Sequence, residues 1–306
     1  MNPFKYTLDN KWYHTLNYHY KTKYGKKVFK IALDAGFSCP NKKDGIGCIF
    51  CSNGSNSNLD NSKDLITQFE RIKNIMLKKW PYAYYIVYFQ ANTNTYENVD
   101  TLKEKFEPML KLDNVIGIDI ATRPDCIDDK CLDYLIDLNK RTNLTIELGL
   151  QSIHDNTLKY INRGHDLKCF DECVKKLKEN NIEVIVHIIN GLPYETKDMM
   201  LETIKHLNKL NIDGIKIHML YIDKNTKLAD IYKKERFHIL TKDEYIDIVI
   251  NQLELLDPKI VIHRITGDPI KDELIEPKWL LNKVQLLNDI DKEMVKRNTY
   301  QGKNIK

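Results

Sequence analysis

Val28-Phe29-Lys30-Ile31-Ala32-Leu33, followed at once by Asp34-Ala35-Gly36-Phe37-Ser38-Cys39-Pro40, joins an apolar, β-branched run to a loop that carries a cysteine. The run reads as a buried strand, and the loop extends through three glycines (Gly36, Gly45, Gly47) to Cys48-Ile49-Phe50-Cys51. The cysteine spacing is C-x8-C-x2-C. Thiolates favour zinc or iron–sulfur centres, and a closed structural zinc site needs four ligands, usually as two close pairs. Here there is one close pair and a single third cysteine. Three thiolates on a four-iron cluster leave one iron open to a further ligand. The competing reading is a zinc site completed by His14 or His19.

Outward from that stretch, the same kind of run recurs at Tyr84–Phe89, Val115–Ile120, Leu144–Leu150, Glu183–Ile189, Ile215–Leu220 and Ile260–Ile265. Between the runs lie segments of helical period: Leu65–Trp80, Val99–Leu110, Asp128–Asn139, Leu167–Asn180, Lys197–Leu210 and Asp243–Leu256. Asp128 and Thr241 read as N-caps, and Trp80-Pro81 as a stop. Strands separated by helical crossovers are parallel βαβ units. The pattern predicts one α/β domain, a barrel or an open doubly wound sheet.

Alternation within the strands favours a barrel with a site inside it. In Leu144–Leu150, Ile146, Leu148 and Leu150 share one face, and Thr145, Glu147 and Gly149 share the other, with Gln151 next in line. In Ile215–Leu220 the second face is Lys216 and His218. His187 and Arg264 interrupt apolar runs, and Asp34 and Asp119 fall on inward faces too. Such residues near strand C-termini sit where parallel α/β folds place their ligands.

The chain has 306 residues, 42% hydrophobic and 29% charged, with a net charge of +4. No segment reaches the about 18 uninterrupted apolar residues of a membrane span, and Met1 to Asn10 has no signal core. Seven cysteines without a secretion signal point to a reducing, cytoplasmic setting. Cys126, Cys131, Cys169 and Cys173 fall in or beside helical segments, and Cys169 and Cys173, four apart on one helix face, read as core. The charge is uneven: residues 1–30 carry seven Lys and one Asp. Together with Trp12, Tyr13, Tyr18, Tyr20 and Tyr24, these lysines suit RNA, ammonium to phosphate and ring to unpaired base. The bland alternative packs the rings on the body. The expected division is a basic aromatic arm (1–27), a barrel (28–270) and a helical extension (271–306), with an amphipathic helix in Pro277–Lys296.

The three-cysteine loop after the first strand, with Phe50 before the last cysteine, resembles the radical S-adenosylmethionine (SAM) superfamily. Further stretches are similar to the branch typified by the catalytic subunit of Elongator, in particular its small bacterial members of YhcC/YtqA type. They are Phe37–Asn41, Phe89–Tyr96, Ala121–Asp125, Glu147–Ser152, Asn162–His165, His187–Pro193, His218–Tyr221 and His263–Asp268. The resemblance runs from about Lys5 to Gln301. It implies a partial (β/α)6 TIM-like barrel, with Cys39, Cys48 and Cys51 holding a [4Fe–4S] cluster and SAM chelating the fourth iron. One electron from a flavodoxin- or ferredoxin-type donor would then cleave SAM to a 5′-deoxyadenosyl radical.

For SAM itself the resemblance points to Gln90 and Asn92 at its amino group, in place of the Gly-Gly-Glu common in the superfamily. It points to Glu147 and Gln151 at its hydroxyls or amino group, to Arg163 at its carboxylate, and to Gly191 beside adenine. The alternative pairs Arg163 and Glu147 with each other inside the barrel. No second cysteine trio serves sulfur insertion, no cobalamin domain is marked, and the chain stops soon after the last strand, so acetyl transfer is not expected. The resulting expectation is an enzyme that modifies tRNA at C5 of the wobble uridine, taking carboxymethylaminomethyl towards aminomethyl or methylaminomethyl. The alternatives are a radical SAM enzyme on a small molecule, porphyrinogen-like or a metabolite, and a zinc-stabilised RNA-binding protein.

Overall fold

A computed structural model describes residues 2–43, 45, 47–51, 59 and 63–305; Asp44 and Ile46 of the cysteine loop lie outside them. Seven strands form one parallel sheet: β1 (Val28–Leu33), β2 (Tyr84–Phe89), β3 (Val115–Thr122), β4 (Asn143–Gln151), β5 (Glu183–Asn190), β6 (Gly214–Met219) and β8 (Val261–Arg264). Between the last two lies the short β7 (Ile222–Asp223), which pairs antiparallel with β9 (Leu274–Glu276). The large sheet runs β1-β2-β3-β4-β5-β6-β8, each strand beside its predecessor. It curls into a half-barrel whose edges are β1 and β8. The seventh apolar run, beyond the six strands the resemblance implies, is thus a full member of the sheet.

The helices are α1 (Leu16–Tyr24), α2 (Pro40–Lys43), α3 (Leu65–Leu77), α4 (Val99–Phe106), α5 (Asp129–Arg141), α6 (Asp155–Tyr160), α7 (Leu167–Glu179), α8 (Lys197–Leu207), α9 (Lys227–Lys234), α10 (Lys242–Leu255) and α11 (Lys283–Lys296). Their boundaries follow local chemistry. The Asp128 side chain accepts from the Cys131 N–H, and Thr241 and Glu244 form a reciprocal capping box. α1 carries no strong apolar stripe, and α6 and α9, of 6 and 8 residues, are too short to show a helical period in the sequence. Ile146, Leu148 and Leu150 face outward from β4 into the core beneath the helices, beside Phe170, Val174 and Leu177 of α7. β4 is buried along almost its whole length, as expected of a strand covered on both faces.

Residues 2–27 are not a free arm. Ile262 of β8 donates its N–H to the His14 carbonyl, and Thr15 bridges to the same residue. α1 then crosses beneath the barrel, packing on β1 and β8. Tyr20 is buried against Val28 and Ile86, and Lys23 pairs with Glu183 at the start of β5, 3.7 Å away. All of these contacts lie at the N-terminal ends of strands. Trp12 and Tyr13 are buried as well, so these rings are core side chains and cannot stack on RNA bases. Trp12, Tyr13 and Tyr20 turn inward, while Tyr18 and Tyr24 stay half-buried beside the exposed Lys21, Lys23 and Lys26.

Candidate active site

At the opposite, C-terminal edge of the strands lies a cavity of about 1090 Å³. Cys39, Cys48 and Cys51 share its wall with Gln90, Asn92, Glu147, Gln151 and Arg163. Five of the six residues the sequence nominates for SAM are therefore brought to the three cysteines. Gly191 is not among the lining residues. Its φ is +82°, and a Cβ there would stand 2.9 Å from Leu240, so this glycine serves a tight turn packed on α10's approach.

The cysteine loop is fastened to the Asn162-Arg163-Gly164-His165 turn. Ile49 donates its N–H to the Ile161 carbonyl at 3.0 Å, and the Asn162 side chain donates to the Gly47 carbonyl at 2.7 Å. The Asn41 amide donates to the carbonyls of Asn162 (2.7 Å) and Arg163 (3.0 Å), and lies 3.5 Å from the Cys48 sulfur. Arg123, gripped by both oxygens of Asp125, donates to the Arg163 carbonyl at 2.8 Å. The Arg163 guanidinium is buried. It donates through Nε to the Gly149 carbonyl at 3.2 Å, and its Nη1 reaches the Cys48 sulfur at 3.8 Å. It does not pair with Glu147. A Cβ at Gly149 would stand 2.7 Å from the Arg163 guanidinium and 2.8 Å from the Gln151 amide, so a larger residue there would displace both. Burial pushes the Cys51 thiol up, and Cys48 and Cys39 push the same way, while Lys42 and Arg163 pull it down.

Across the cavity floor, inward side chains of six strands meet. Glu147 of β4 accepts from Lys30 of β1 (2.9 Å) and His187 of β5 (2.8 Å), and from Lys216 of β6. Lys30 also pairs with Asp119 of β3. Lys216 donates to the Tyr88 hydroxyl at 2.9 Å and sits 4.4 Å above the same ring. Burial alone would raise the Glu147 carboxyl, but Lys216, Lys30 and His187 hold it well below its usual range. Burial takes the Lys216 ammonium down to about 8 against the pull of Glu147. Burial and Lys216 take His187 down to about 4, and His218 is also lowered, so both rings are neutral near pH 7.

Lys30 had been counted with the basic arm. Its alternation with Val28 and Ala32 was the signal that it faces inward. Tyr88, Arg123, Asp223, Lys271 and Lys283 also line the cavity; Arg123 lies in the Ala121–Asp125 stretch that carries the resemblance, and nothing in the local sequence marks the other four. His14 and His19 lie beneath the barrel, His14 with its Nδ1 3.1 Å from the Pro258 carbonyl just before β8. They are at the wrong end to complete a zinc site with the cysteines.

Residues 36–207 match the Radical SAM superfamily, and residues 212–296 match the Radical SAM C-terminal domain. The chain belongs to the radical SAM superfamily. Uncharacterized protein YtqA of Bacillus subtilis (strain 168) is 49% identical over 99% of this chain and 95% of its own length. Elongator complex protein 3 of Schizosaccharomyces pombe is 29% identical over 50% of this chain and 28% of its own. The structure of the archaeal Elp3 of Methanocaldococcus infernus superimposes with a TM-score of 0.68 at 17% identity, covering 90% of this chain and 64% of that one. This radical SAM chain is accordingly of the YtqA type, on the Elongator-like branch.

The superfamily's cofactors are a [4Fe–4S] cluster and SAM, and the donor set fits them. Three soft thiols line one wall, each available to a separate iron. Cys48 has two side-chain N–H groups close to its sulfur, an arrangement that supports thiolate and tunes a cluster. Among the described residues, no three His, Cys, Asp or Glu side chains converge on a single metal ion. No helix among them is long and apolar enough to cross a membrane.

Proposed function

We propose that this radical SAM enzyme modifies tRNA, acting on the C5 side chain of the wobble uridine and taking carboxymethylaminomethyl towards aminomethyl or methylaminomethyl. When bound at Cys39, Cys48 and Cys51, the cluster would supply the electron that cleaves SAM to a 5′-deoxyadenosyl radical, an external flavodoxin or ferredoxin being its source. The chain's own residues do the rest. Arg163, Asn41 and Arg123 brace the cysteine loop. Gln90, Asn92 and Gln151 stand on the cavity wall beside the cysteines, where SAM would extend.

The observation that carries the reading is the cavity itself. At about 1090 Å³ it lies at the top of the about 300–1,000 Å³ range of small-molecule clefts, room for SAM and a second, nucleoside-sized group. Its rim presents Lys42, Lys271 and Lys283, suited to a phosphate backbone. RNA contact thus belongs to this rim and not to the arm beneath the barrel. Nucleoside mass spectrometry of a deletion strain tests the reading: carboxymethylaminomethyluridine should accumulate and the aminomethyl-derived nucleosides disappear. An unchanged nucleoside profile contradicts it.

A further inference from the structure

The cavity is electrostatically lopsided. Among the described residues its lining carries seven cations (Lys42, Arg123, Arg163, Lys216, Arg264, Lys271, Lys283) and three carboxylates (Glu147, Asp223, Asp268). On the cysteine wall, Arg163 reaches Cys48 and Arg123 is tied to Asp125, so those two cations serve thiolates and the loop. The opposite wall, built from β6, β8 and the segment after β8, holds Lys216, Arg264, Lys271 and Lys283. Against these four cations that side sets two carboxylates, Asp223 and Asp268, among the described residues.

Two of these cations reach the floor. Lys216 has three N–H donors; one goes to Glu147 and one to the Tyr88 hydroxyl, leaving one for a ligand. Arg264 is partly exposed and pairs through Nη1 with Asp268 at 2.9 Å. A guanidinium carries five donors in a fork that fits a carboxylate. Asp268 is also held by Lys283 at 2.6 Å, so it has a second partner if a ligand takes up donors of Arg264. His187 and His218 complete the floor, their rings 5.4 Å apart. Both are neutral and able to donate or accept without adding charge.

The geometry points to an anion-binding floor: Lys216 and Arg264 take the carboxylate at the end of the substrate's side chain, and Lys271 and Lys283 face the backbone at the rim. Lys216 and Arg264 are in this assignment substrate-binding residues that decide between side chains with and without a terminal carboxylate. The assignment rests on the proposed tRNA function only for the identity of that carboxylate.

The test compares two tRNAs that differ only at the wobble side chain, carboxymethylaminomethyl against aminomethyl, bound to the reconstituted holoenzyme with SAM present and no reductant. The expected result is about tenfold tighter binding of the carboxylate form, the order of a charge-assisted hydrogen bond. In K216M and in R264Q that preference should fall to about twofold or less. Because Lys216 is buried against Glu147, R264Q carries the test if K216M does not fold. Equal affinities in the intact protein, or a preference kept by R264Q, overturn the assignment. If neither tRNA binds, the tRNA reading fails and the floor is judged with free sarcosine, the side chain's amino acid counterpart. Sarcosine should then perturb the imidazole resonances of His187 and His218 where methylamine does not. Identical spectra with both compounds overturn the assignment.

Discussion

The two ends of the half-barrel are built from similar residues and do opposite things. At the lower end, Trp12, Tyr13, His14 and Tyr20 are buried, and the Tyr6 and His14 rings stack at 5.0 Å. The polar groups there are satisfied by backbone, or lie buried among rings. At the upper end, Lys, His, Glu and Arg side chains surround an open cavity. What separates them is which ends of the strands they occupy. Parallel strands leave their C-terminal ends open to loops that diverge, while the N-terminal ends are closed by whatever segment precedes β1. Composition alone, basic and aromatic in both places, does not distinguish a plug from a binding surface.

The contrast can be broken first at the floor. Glu147→Ala would strip the carboxylate from Lys216, leave Lys30 with Asp119 alone, and so leave uncompensated charge in the barrel. It should destabilise the fold by about 3–5 kcal/mol, read by denaturant unfolding. A value near that of an exposed pair, under about 1 kcal/mol, would mean the network is solvated. Next, Arg163→Ala should weaken iron retention at the cysteines by about 10–100-fold, the usual effect of losing a group that supports a metal ligand, measured by chelator challenge. Gly149→Ala should reproduce part of that loss by unseating the guanidinium. If both variants hold iron as the parent does, Arg163 has no part in supporting Cys48.

A pH series sharpens the comparison further. Lys216 is charged below about pH 8 and neutral above it, because burial lowers it from its ordinary value. The preference for a carboxylate-bearing tRNA should therefore be full near pH 7 and fall as pH rises through about 8. K216M should show no such fall. The smallest effect is expected at the lower end. Replacing Lys21, Lys23, Lys26 and Lys27 with Gln should change tRNA affinity at low salt by no more than about twofold, since they lie on the face away from the cavity, whereas phosphate contacts would cost far more. A large loss would return RNA binding to that end of the molecule.

Much of this was legible in the sequence because the barrel's rules are local. β-branched runs with helical crossovers fixed the sheet, and side-chain alternation put Glu147, His187, Lys216 and Arg264 on one face before any contact was known. The cysteine spacing marked the loop that lies on the cavity wall. What was not legible depended on packing across the chain. Whether Trp12 and Tyr13 face water or core is decided by β8, more than 240 residues away. Arg163 reaches Gly149 and Cys48 and not Glu147 because the 161–164 turn is tied to the cysteine loop, a pairing no spacing reveals. Asp223 joins the cavity only through the short β7–β9 pair, whose strands are too brief to show a pattern. Its carboxyl is pushed up to about 6 by burial and Glu273.

We propose Cys39, Cys48 and Cys51 as a three-thiolate seat for a four-iron cluster. Iron and acid-labile sulfide analysis of anaerobically reconstituted protein, beside Cys48→Ala, tests it most directly. The account predicts about four irons and four sulfides per chain in the parent, and in the variant a large loss of both together with loss of 5′-deoxyadenosine formation. Zinc without sulfide in the parent, or an unchanged cluster in the variant, would contradict it.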